Sequence, residues 1–120
     1  MRFLRQTATW ECRAHLLPLG REVEVLIFGS EAGPTSRQRE LWKELAAHYP
    51  VLESRLRSEL DKLAQSKQAA NFVFQLAAVT LPEDSEPEYD LELTFGDESG
   101  PPQFDVRMAS WNIAEIVGPL

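Results

Sequence analysis

Asp84, Glu86, Glu88, Asp90 and Glu92 stand at every second position within LPEDSEPEYDLELTF, residues 81–95, a stretch with six carboxylates and no base. Paired acids can run glycoside hydrolysis or hold a divalent cation, so their spacing is the first test. On a continuous strand they would leave one face about 6.6 Å apart, too wide for neighbours to chelate one ion unaided. A calcium loop begun at Asp84 would need Gly at its sixth place and Glu at its twelfth, where the chain has Tyr89 and Phe95. The pattern points away from a metal or catalytic cluster and toward a charged surface.

Proline divides the stretch. Pro82 and Pro87 disfavour central-strand pairing, so 82–87 reads as an exposed acidic loop or frayed edge. A strand then runs from Glu88 to Phe95, with Tyr89, Leu91, Leu93 and Phe95 facing a core and Glu88, Asp90, Glu92 and Thr94 facing out. FDVRM, residues 104–108, repeats the alternation and supplies Arg107 as the base that neutralises part of this face across the strands. Two readings remain for the surplus acids, a solvated strand face and a docking face for a basic protein. Like charges on one sheet face cost stability, which a cationic partner would offset. For the docking face the candidate residues are Glu88, Asp90, Glu92 and Asp97, with Trp111 in the SWN turn as an aromatic anchor.

Other chemistry has thinner material. Cys12 and His15 have the spacing of half a metal site, but an odd separation on a strand sends them to opposite faces. A single cysteine allows no intramolecular disulfide and no thiolate-based zinc site. His15 and His48 are the only imidazoles, and no glycine-rich phosphate loop or nucleophile elbow occurs. No cofactor is expected, and an enzyme is the less favoured class.

The elements that would position these residues follow from periodicity. At 120 residues and 43% hydrophobic composition the chain fits a single domain, 1–120, with a core of its own. Thr9–His15 and Glu22–Phe28 alternate with period two around the LPLGR turn and read as a hairpin. Leu26 and Phe28 put bulky apolar groups on its wet side, which predicts partial cover there. Thr35 and Gln38 form a capping box, after which Leu41, Leu45, Tyr49, Leu52, Leu56, Leu60 and Leu63 make one helical stripe. Pro50 interrupts it and predicts a kink or a split into helices 36–48 and 51–65. Strand-like runs follow at 72–79, 88–95, 104–108 and 113–117, with GDESGPPQ, residues 96–103, joining the second and third. The expected fold is α+β: two N-terminal strands, a kinked or split helical segment, then three to four strands, in a mostly antiparallel sheet with helices on one face.

Charge bounds the partners. The net charge is −7; residues 1–67 carry 11 bases and 9 acids, while residues 68–106 carry 9 acids and no base. Nucleic acid is excluded from that second half, because phosphate binding depends on Lys and Arg displacing counterions. No apolar run approaches the roughly 20 residues of a membrane span, and the N-terminus lacks an apolar signal segment, so a cytoplasmic protein is expected.

GREVEVLI, YDLELTF and the closing FDVRMASWNIAEIVG, around a helical middle, together resemble small bacterial domains of unknown function, some of them similar to immunity proteins that neutralise a toxin by binding it. The resemblance spans nearly the full chain and implies an α+β fold and a binding role without catalytic residues. The expected function is therefore a non-enzymatic, cytoplasmic protein-binding module with an acidic docking face. Two alternatives stay open: a small enzyme or ligand binder with a cleft between helices and sheet, and a homo-oligomer joined through Leu26 and Phe28.

Overall fold

The computed structural model describes residues 2–16, 19–29, 31–69, 71–83, 88–97 and 100–120. One sheet contains, in sequence order, β1 (Arg2–Leu4), β2 (Thr9–Leu16), β3 (Arg21–Phe28), β4 (Leu76–Leu81), β5 (Leu91–Gly96), β6 (Gln103–Ala109) and β7 (Asn112–Val117). Among the described residues a single α-helix, α1 (Ser36–Ser66), connects β3 to β4. These two strands run parallel, and all other neighbours are antiparallel. Asp84 and Glu86 of the alternating carboxylates lie outside the described residues, as do Leu17 and Pro18 of the first turn and Glu98 and Ser99 of the GDESGPPQ connection.

The expected layout of two strands, a kinked or split helical segment and three to four strands is corrected, among the described residues, to a seven-stranded mixed sheet with one α-helix. Three strands precede the helix, because β1 pairs with β2 and sets Phe3 against Trp10 with ring centroids 4.9 Å apart. Three residues are too few to show an alternation, so this strand left no periodic signal. The helix is continuous through Pro50, which sits on its exposed outer side. Leu41, Leu45 and Tyr49 before the proline and Leu52, Leu56 and Leu60 after it are all buried, so packing on both sides offsets the lost backbone bond. One unbroken helix also carries the chain back along the sheet to the end at which β3 begins. The next strand must then run parallel to the last, as β4 does to β3.

Strand ends shift for a related reason. The run expected at 72–79 becomes a strand only from Leu76, while Phe72 packs edge-on against Phe104 and Phe74 stacks on Phe95 from the connecting segment. Tyr89 and Asp90 precede β5, so the inward and outward alternation expected from Glu88 begins only at Leu91.

The core lies between α1 and one sheet face. Val23, Val25, Val79, Leu81, Leu91, Leu93, Phe95, Phe104, Val106 and Met108 meet the helical stripe there. Gln38 is the polar member of this layer. Its amide completes the capping box with Thr35, accepting from the Thr35 backbone N–H at 2.9 Å, while Thr35 Oγ1 accepts from the Gln38 N–H at 3.1 Å. Gln38 Nε2 meanwhile donates toward the carbonyls of Phe28 (2.7 Å), Pro82 (2.8 Å) and Leu81 (3.2 Å). One buried side chain thus starts the helix and fastens it to the ends of β3 and β4. Pro82, expected in an exposed loop, is buried at this junction.

Candidate functional site

Cross-strand register defines the second face of the sheet. Residues that pair in neighbouring strands share a face, and one row runs through all seven: Arg2, Glu11, Leu26, Thr80, Glu92, Arg107 and Glu115. A second row runs Arg13, Glu24, Ala78, Thr94, Asp105 and Val117. The helix lies on the opposite side, so among the described residues this face has no helix over it.

Its charges are arranged in two margins. On the β1–β3 side Arg2 pairs with Glu11 at 2.8 Å and Arg13 with Glu22 at 3.8 Å. On the β5–β7 side Arg107 donates through Nε to Glu92 and through Nη1 to Glu115, each at 3.0 Å, and its guanidinium carbon lies 5.1 Å from the Tyr89 ring centroid. These bonds, that to Glu92 foremost, hold the Arg107 guanidinium above the ordinary arginine range and keep it charged. Thr94 Oγ1 donates to Asp105 at 2.7 Å in the next row. Between the margins the centre is uncharged: half-buried Leu26 and Ala78 and buried Thr80, continued toward one end by Phe28, which is 37% exposed. Partial cover was expected at Leu26 and Phe28, and Leu26 is half-buried while Phe28 is exposed.

The five sequence candidates are divided by this geometry. Glu92 faces the open side and is bound by Arg107, as the sequence pattern anticipated. Asp90 does not stand beside it. Lying in the bend before β5, it accepts the Ser110 backbone N–H at 2.8 Å and approaches Arg37 of α1 at 3.7 Å, so it serves the helix side. Trp111 is on that side too, stacked on His48 with centroids 4.3 Å apart and planes 11° from parallel. Ser110 and Trp111 form the two-residue loop between β6 and β7 with φ of 49° and 64°, the left-handed pair that a tight hairpin requires without the usual glycine. Asp90 and His48 together brace this loop against the helix. Glu88 is exposed ahead of β5, and Asp97, directly after it, accepts from Gln103 Nε2 through its carbonyl at 2.9 Å. Tyr89, expected in the core, is half-buried over Arg107.

Cys12 and His15 do occupy opposite faces, Cys12 toward the helix and His15 in register with Glu22 on the open side. His48 is held by Trp111 on the helix side, so the two imidazoles do not converge. Among the described residues no three His, Cys, Asp or Glu side chains are grouped to hold a metal ion. The open face's uncharged centre was not legible beforehand, since Ala78 and Thr80 join it only once β4 is placed beside β3. No family model, curated protein or solved structure matches this chain.

Proposed function

We propose that this protein is a non-enzymatic binding module acting in the cytoplasm, and that the open sheet face receives a basic protein partner. The observation that carries this is the composition of that face. The face carries six carboxylates, Glu11, Glu22, Glu24, Glu92, Asp105 and Glu115, against three arginines, Arg2, Arg13 and Arg107, with Leu26 and Phe28 on β3 between its two charged margins. Uncharged residues at the centre supply area that excludes water, and the acidic surplus at the margins steers a cationic surface and fixes its register. Neutralising a toxin is the specific form that the resemblance to immunity proteins implies.

The test is site-specific photo-crosslinking in cells from an aromatic photoprobe at position 28, compared with one at Arg55 on the exposed outer side of α1. A discrete adduct from position 28 alone, weakened by high salt and by the pair Glu22→Lys and Glu24→Lys, is the expected result. Equal labelling from both positions, or an adduct indifferent to the two reversals, overturns the reading. An adduct of twice the chain's own mass would assign the face to a second copy instead.

A further inference from the structure

Beside the first half of α1 the covered side of the sheet is not fully filled. A groove of about 280 Å³ opens there, floored by Cys12, Val25 and Ile27 and walled by Trp42, and its lining is almost wholly apolar. Arg39 and Lys43, one helical turn apart, also reach it. Both are exposed, so their aliphatic stems complete the lining while the cationic heads stay in water. Neither makes an ion pair among the described residues, whereas Arg37 nearby is engaged by Glu44 and Asp90. Burial raises the Cys12 thiol above its ordinary value, the N-terminal amine opposing this weakly, so the floor is uncharged at neutral pH. An apolar trough with two cations on its helix wall, neither ion-paired among the described residues, is complementary to an amphiphile with an anionic head.

We propose that this groove binds one straight-chain aliphatic carboxylate, its chain along Cys12, Val25, Ile27 and Trp42 and its head between Arg39 and Lys43. Size sets the chain length. An apolar cavity of about 150 Å³ accommodates benzene with its six carbons, so the groove takes on the order of ten non-hydrogen atoms. That corresponds to a carboxylate of about eight to ten carbons. The site is separate from the open sheet face, and its occupancy does not depend on any protein partner.

Cys12 is the only cysteine of the chain and reports the groove directly. Decanoate is the probe, followed by calorimetry and by the rate at which iodoacetamide alkylates Cys12; 1-decanol and decyltrimethylammonium share its chain and differ in head charge. Saturating decanoate binds one to one and slows alkylation about fivefold or more, while decyltrimethylammonium is weaker by about tenfold, as the sign of two nearby charges dictates. Arg39→Glu with Lys43→Glu reverses that order, and Arg39→Gln with Lys43→Gln removes it. Glu22→Lys with Glu24→Lys on the other face leaves decanoate binding unchanged, which separates this site from the partner surface. Unprotected Cys12, or equal protection by all three amphiphiles in every variant, overturns the proposal.

Discussion

The two faces of the sheet follow the same alternation and have opposite physical roles. On the helix side Phe95, Phe104, Val106 and Leu93 are fully enclosed, and their burial supplies the main drive for folding. On the other side the strands present paired charges and small residues, and Phe28 keeps more than a third of its surface in water. Exposed ion pairs contribute little to stability, commonly below about 1 kcal/mol each. The contrast teaches that one face specifies the fold while the other carries charge at little cost or gain to stability.

The largest expected effect compares one residue type across the two faces. Phe104→Ala should cost about 3–5 kcal/mol, whereas Phe28→Ala should cost less than about 1 kcal/mol, measured by urea unfolding. Similar losses would mean that the open face is part of the stabilising core. Next comes the link between helix and sheet. Gln38→Leu keeps the volume but leaves the carbonyls of Phe28, Leu81 and Pro82 without their donor and removes the side-chain half of the capping box, for a loss of about 3 kcal/mol. A loss below about 1 kcal/mol would show that water replaces the amide.

A gain is expected at the helix's outer side. Pro50→Ala restores a backbone donor where the ring is exposed, and should raise stability by about 2 kcal/mol, somewhat under the helix-interior difference of about 3 kcal/mol. The thermal midpoint reads it, and a fall would mean that the proline's conformation is required. The smallest effect at neutral pH concerns Tyr49, which is 1% exposed. Burial chiefly, with Glu53 nearby, raises its hydroxyl well above the ordinary 10.0. The folded state therefore holds this proton more tightly than the unfolded chain does, so the contribution is intact below pH 10 and declines as pH rises beyond it. Tyr49→Phe should change the urea midpoint little at neutral pH and flatten its alkaline decline; parallel declines would place the titration elsewhere.

Legibility from sequence varied along the chain in a physically ordered way. The capping box at Thr35 and Gln38 and the stripe from Leu41 to Leu60 were legible because both are local and repeat with the helical period. The alternation of β2, β3 and β6 was legible for the same reason. Asp90 was not, because it sits one residue before β5, and alternation does not extend past the end of a strand. Trp111 was legible as a turn residue, while its stacking on His48, more than sixty residues earlier, was not.

What the sequence determined by itself is the core face of the helix and of the strands β2, β3 and β6, since burial of apolar side chains within an element follows a local period. Only the tertiary structure decided that Glu92 meets Arg107 while Asp90 meets Ser110, that Pro50 stays within one helix, and that β4 runs parallel to β3. Each of these depends on contacts between distant segments, and such contacts arise from packing the whole helix against the whole sheet. A local pattern names the face a residue prefers, and the fold selects the neighbour it finds there.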